Sequence, residues 1–196
     1  MSAVRKQSSA PRDTRKLILW ATVAVVVIAV IVGVGWASRV PKAASEAPIQ
    51  AHLKVGDVAP TFSVATNAGQ FDLAQVSTPV LLEVFATWCP HCQRETAVLN
   101  QIATKYAGKI AMVAVSGSPQ GMDGSSAETQ SDVNTFGQQF AVRYPLAFDP
   151  ELKVASQYLQ GGFPTIVLID KSKKVSWIKD GEVAASDLEK AIKATI

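Results

Sequence analysis

Trp88-Cys89-Pro90-His91-Cys92 holds the only two cysteines of this 196-residue chain, between a dense apolar run, Val80 to Ala86, and the start of a helix-like pattern. No other feature constrains the fold as much, because it calls for a buried strand that delivers both sulfurs to a helix N-terminus. Two intervening residues at a helix start let the sulfurs close a small disulfide ring, with Cys89 at the tip and Cys92 one turn in. The first turn of a helix offers unpaired N–H groups and the positive end of the macrodipole, which stabilise a thiolate on Cys89. Pro90 suits that turn, where its missing N–H is not needed. His91 adds a donor or a positive charge beside the sulfur, so the dipeptide should stabilise the reduced form and make the couple more oxidising. The leading reading of the pair is a redox dithiol.

Other uses of the same residues fit less well. A structural zinc site wants four ligands, and the only histidines are His91, inside the motif, and His52. Covalent haem attachment requires a histidine directly after the second cysteine, where Gln93 stands. A purely structural disulfide remains open, although so short a loop constrains the unfolded chain little.

Leu17 to Trp36 is an uncharged, nearly all-apolar stretch long enough to cross a bilayer as a helix, with Trp20 and Trp36 near its ends. Residues 1–16 carry Arg5, Lys6, Arg12, Arg15 and Lys16 against Asp13, a net of +4. The positive-inside rule then keeps this tail in the cytoplasm and exports everything after Trp36. Gly35-Trp36-Ala37 leaves a cleavable signal peptide as the rival, with an apolar core longer than usual. Both readings place the cysteines where disulfides persist. The whole chain carries only +3, so without its tail it is close to neutral and nothing in its charge points to nucleic acid.

The expected organisation is a basic tail (1–16), a transmembrane anchor (17–36), an Ala/Ser/Pro-rich linker (37–52) and one domain (53–196). Within that domain the periodicity predicts strands at 80–86, 110–115, 165–169 and 175–179. It predicts helices at 90–106, 132–142, 152–158 and 186–196, the last opened by a Ser186/Glu189 capping box. Gly117 to Thr129 reads as an irregular loop. The order implies an α/β fold, a mixed sheet covered by helices on both sides.

The chain resembles the thioredoxin superfamily, and within it the membrane-anchored TlpA/ResA-like thiol-disulfide oxidoreductases. The matching residues are Val55-Gly56-Asp57-Val58-Ala59-Pro60-Thr61-Phe62, Val84 to Cys92 with Glu95, and Gly162-Phe163-Pro164-Thr165. Pro-His between the cysteines departs from the Gly-Pro of thioredoxin and is similar to the DsbA-type oxidants. The resemblance implies a thioredoxin-like mixed sheet preceded by a single N-terminal transmembrane helix. It implies that Cys89 attacks, that Cys92 resolves, and that Pro164 is a cis-proline beside them, where the Phe163 backbone can pair with a substrate strand.

Glu83 matches the buried acid that helps move the Cys92 proton. Its other reading is a side chain reaching solvent at a strand edge. Glu95 matches a glutamate that tunes the dithiol, or else complements its helix dipole. Trp88 matches the tryptophan that flanks the active site, and Phe163 is either substrate-facing or core.

The resemblance further implies no metal or organic cofactor and, as partners, exported protein thiols or disulfides. A CcdA- or DsbD-like electron donor, or a DsbB- or VKOR-like oxidant, would recharge the dithiol in the membrane. Apocytochrome c, in cytochrome c biogenesis, is one candidate client. Two other classes compete. Peroxiredoxin-like peroxidases share the opening motif but place threonine where this chain has Ala86. Copper-delivery proteins also use two thiolates, but the Sco type spaces them by three residues. The Gly117 to Thr129 loop, expected on the active-site side, is either partner-selecting or a tolerated insertion.

Overall fold

A computed structural model describes residues 53–196; the tail, the apolar stretch and the linker through His52 lie outside them. Seven strands form one sheet: β1 (Ser63–Thr66), β2 (Gly69–Asp72), β3 (Val80–Phe85), β4 (Ala111–Ser116), β5 (Leu146–Phe148), β6 (Thr165–Ile169) and β7 (Val175–Asp180). Their spatial order is β2-β1-β5-β4-β3-β6-β7. β3, β4 and β5 run parallel, whereas β6, β7 and the β1–β2 hairpin add antiparallel pairs, giving the mixed sheet expected. The helices are α1 (Pro90–Lys105), α2 (Gln130–Gln139), α3 (Ala155–Tyr158) and α4 (Ala185–Thr195). Among the described residues no helix is long and apolar enough to cross a membrane.

β3 is central, and all six of its residues are buried. Because side chains alternate across a strand, its two faces feed two different cores. Val80, Leu82 and Val84 pack with Leu73, Val113, Val115, Val167 and Tyr158. Leu81 and Phe85 pack on the other face with Leu99 and Ile102 of α1, Phe136 of α2, and Leu188 and Ile192 of α4. Each such fully buried side chain contributes roughly 1.5–3 kcal/mol of transfer free energy. Glu83 lies between Leu81 and Phe85 and so shares their face. Its register partners, Ala114 on β4 and Ile166 on β6, have side chains in that same core.

α1 starts at Pro90 with Cys89 as N-cap and stops near Gly108, which takes φ +73° as a helix-ending glycine does. α2 begins two residues earlier than its periodicity suggests, because Thr129 and Asp132 form a capping box. The Ser186/Glu189 box does not form. α4 is N-capped at Ala184 without a side-chain bond, and Glu189 instead accepts from Lys105 Nζ at 2.6 Å, joining α4 to α1.

The hairpin β1–β2 and the short β5 have no counterpart in the sequence reading. The first is half exposed with little apolar pattern, and the second is three residues long.

β4 leaves the sheet at Gly117, whose N–H donates to Phe85 O at 2.9 Å. A Cβ there would lie 2.6 Å from Val84 Cγ1 and 2.8 Å from Ala155 Cβ, so only glycine lets this backbone approach β3 and α3. Gly117→Ala should therefore cost about 1–3 kcal/mol, read as a lower urea midpoint at unchanged slope. An unshifted midpoint would show that the neighbouring side chains yield freely.

Candidate active site

The strand-to-helix junction is held by its own backbone. Cys89 N–H donates to Ala86 O and Gln93 N–H to Cys89 O, both at 3.1 Å, while Gln93 Nε2 reaches Thr87 O at 3.1 Å. Cys89 and Cys92 are both free thiols. Cys89 is 4% exposed and Cys92 fully buried, so the outer cysteine is more covered than its place at the tip suggests. The Cys89 sulfur lies 3.7 Å from the carbonyl of Phe163, and the Phe163–Pro164 peptide is cis, as the resemblance implies. Thr165 locks that loop, its hydroxyl donating to Gly162 O at 2.9 Å and accepting from Gln160 N–H.

These surroundings split the two sulfurs. The Cys89 thiol is held down at about 6, first by a hydrogen bond from the Cys92 thiol, against the cost of burial, and then by the backbone N–H groups of Cys92 and His91. The charge of the His91 imidazole is the smallest of these causes. The Cys92 thiol is pushed far up by burial, by its bond to Cys89 and by the charge of Glu83. One sulfur is therefore an ionised nucleophile near neutral pH, and the other keeps its proton.

Beneath them lie two buried carboxyls. Glu83 is 2% exposed, which excludes the solvent-facing strand-edge reading, and Tyr144 Oη donates to its Oε2 at 3.3 Å. Burial, followed by the Glu95 charge, raises Glu83 to about 8. Glu95 is also 2% exposed; its Oε2 accepts the Val183 N–H at 2.9 Å, and burial raises it to about 7. A carboxyl so placed is bonded to another element rather than offered to its own helix end. Oε1 of each glutamate has no hydrogen-bond partner.

The rim joins residues far apart in sequence. Trp88 is 36% exposed, donates Nε1–H to Ser118 Oγ at 2.8 Å and meets the half-buried Phe163 edge-to-face, with ring centroids 6.2 Å apart. Phe163 touches both cores, so its core and surface readings both hold in part.

The 117–129 loop does lie on the active-site side, pinned there by Glu128. This buried carboxylate accepts from Thr87 Oγ1 at 2.9 Å and from Ser116 Oγ. Glu128, Ser118, Tyr144, Arg94 and Glu182 escape the sequence reading. Glu128 alone had a local signal, an acid directly before the Thr129 cap. Among the described residues no group of three or more His, Cys, Asp or Glu side chains could hold a metal ion.

A mixed sheet that ends in an activated cysteine, with its partner buried behind it and a cis-proline loop against the sulfur, defines a thioredoxin-like thiol-disulfide oxidoreductase. The chain belongs to the AhpC/TSA family, which it matches over residues 55–178, and within it to the ResA-like thiol-disulfide oxidoreductases. It is 30% identical over 140 residues to the thiol-disulfide oxidoreductase ResA of Bacillus cereus, covering 70% of this chain and 76% of that protein. It is 25% identical over 142 residues to the thioredoxin-like protein YneN of Bacillus subtilis, covering 71% and 79%. Among solved structures, a thiol:disulfide interchange protein of the thioredoxin family from Chlorobium tepidum superposes with a TM-score of 0.56 at 27% identity, over 72% of this chain and 97% of that one. StoA from Bacillus subtilis shares the fold at a TM-score of 0.57 and 18% identity, over 68% and 97%.

Two measurements check the electrostatics. Alkylation of the reduced protein by iodoacetamide should rise with pH through a midpoint near 6 at Cys89, and a midpoint near 8.5 would show an unactivated thiol. Glu83 binds its proton more tightly folded, at about 8, than its ordinary 4.5. The stability it contributes is complete below about 4.5 and is lost as pH rises through about 8, a change on the order of a few kcal/mol. Glu83→Gln removes that loss, so the variant should gain stability over the parent between about pH 5 and pH 8.5 by thermal unfolding. A pH-independent difference would contradict the burial of a titrating carboxyl.

Proposed function

We propose that this chain is an extracytoplasmic thiol-disulfide oxidoreductase, anchored by residues 17–36 with its N-terminus in the cytoplasm, that reduces disulfides of exported proteins. The observation that carries the reading is the pairing of an activated Cys89 against the Phe163 carbonyl with a Cys92 shut away behind it. The Cys89 thiolate attacks one sulfur of the substrate disulfide. A mixed disulfide forms, and the other substrate sulfur leaves as a thiolate and takes a proton. Cys92 then gives up its proton and attacks Cys89, closing the Cys89–Cys92 bond and releasing the second substrate thiol.

Glu83 receives the Cys92 proton in this scheme. Cys89 is one of the charges that hold Glu83 protonated. Once that thiolate is consumed, the carboxyl ionises more readily, at the step that needs a base. Glu95 adds to the same balance, because its charge acts on Glu83. Trp88, Phe163 and Pro164 form the surface that receives an extended substrate segment, and a CcdA- or DsbD-like membrane protein restores the dithiol.

The depth of activation supports this direction. A Cys89 thiol near 6 lies closer to the roughly 7 of thioredoxin than to the roughly 3.5 of DsbA. The imidazole that would push the couple toward oxidation contributes least to that activation.

Cys92→Ser should accumulate mixed disulfides with client proteins, seen on non-reducing gels, and Cys89→Ser should abolish exchange. Turnover without such adducts would overturn the assigned roles, and peroxide consumption that survives Cys92→Ser would favour a peroxidase. Against glutathione buffers the reduction potential is expected near about −270 mV, and a value of about −120 to −180 mV would make the protein an oxidant or isomerase.

A further inference from the structure

The connector between β7 and α4 touches the site with three consecutive residues. Gly181 N–H donates to Pro164 O at 2.8 Å, and Val183 N–H donates to Glu95 Oε2 at 2.9 Å. Between them Glu182 reaches the first turn of α1. Its Oε1 is 2.6 Å from His91 Nδ1, and both of its oxygens accept from Arg94 Nε, at 3.1 and 3.3 Å.

Arg94 Nη2 also stands 2.9 Å from His91 Nδ1, but a guanidinium only donates, and Nδ1 cannot both receive that proton and give one to Glu182. The carboxylate resolves the conflict, because it alone can accept from both side chains. It stays ionised, its pKa held down at about 2 by the bond from Arg94 and then by the one from His91.

We propose that Glu182 is a redox-poise residue: by holding the side chains of His91 and Arg94 on its own carboxylate, it withholds their positive charge from the Cys89 thiolate and keeps the couple on its reducing side. The inference deepens the oxidoreductase reading and rests on it. Both cations are within electrostatic reach of the sulfur, since His91 helps hold Cys89 down and Cys89 in turn pushes Arg94 up. Glu182 sits outside the reacting set and acts through those two neighbours, which makes it a positioning residue. Its own charge bears on Glu95 as well, and Lys179 of β7 with Asp187 and Lys190 of α4 line the cavity beside it.

Sequence alone gives no hint of this, since Glu182 lies 91 and 88 positions from its partners.

The test uses the full-length protein in detergent with two readouts. One is the Cys89 titration, followed by thiolate absorbance. The other is the equilibrium in which two glutathione thiols are oxidised to one glutathione disulfide as the Cys89–Cys92 bond is reduced. Glu182→Gln should lower the Cys89 pKa and move that equilibrium about threefold toward the dithiol, while Glu182→Asp, which keeps the charge, should stay within about twofold of the parent. In a His91→Gln, Arg94→Gln background no cation remains to be released, and the effect of Glu182→Gln should shrink.

An unchanged or raised Cys89 pKa in Glu182→Gln would overturn the proposal, even if the melting temperature falls. So would a shift that persists in full without the two cations. Failure of the parent protein to exchange with any disulfide would sink the oxidoreductase reading instead, and the Cys89 titration would still decide the role of Glu182.

Discussion

A strand buried on both faces runs into the positive end of a helix, and the chemistry of this protein depends on that junction. β3 lies between β4 and β6, so its backbone is paired on both sides and its end position is fixed. The turn that follows therefore sets Cys89 at the start of α1, where the first-turn N–H groups favour a thiolate. Cys92, three positions on, falls on the inner face of the same helix among Leu99, Ile102 and Phe85. One helical turn thus gives chemically identical side chains opposite proton affinities, one lowered first by the bond from its partner thiol and then by backbone N–H groups, the other raised by desolvation.

The carboxyls extend this logic downward. Alternation along β3 sends Glu83 to the face that holds Cys92, into a core that offers it only Tyr144. An ionised carboxylate is costly there, and the second one at Glu95 makes it costlier. The protein keeps both acids, each with one unbonded oxygen, where apolar residues would pack with less cost. That expense fits the proton transfer from Cys92 proposed above.

The sequence made legible whatever is written locally. The dense run at 80–86 announced a central strand, the motif fixed the start of α1, and Gly108 its end. The burial of Glu83 was one of two readings that run left open, and the fold decides for it. The β1–β2 hairpin stayed hidden because four-residue strands such as Ser63–Thr66 carry no dense apolar signal, and β5 because three residues show no period. In the site, the invisible partners are those brought by topology. Tyr144 comes 61 positions after Glu83, and Glu128 comes 41 after Thr87. The capping box went astray for a related reason. A Ser-x-x-Glu pattern specifies a local bond, but Glu189 finds the longer-range Lys105.

The bond from Val183 N–H to Glu95, beside the one from Gly181 N–H to Pro164, has a consequence for synthesis. Both halves of the site are tied by a connector that follows the last strand. Until that connector docks, Glu95 lacks its donor and the Pro164 carbonyl lacks the Gly181 N–H, although both cysteines precede it in the chain. A growing chain thus carries both thiols before the residues that bond Glu95 and the Pro164 carbonyl have been made. The order of residues along the polypeptide makes this connector the last of those parts of the site to be synthesised.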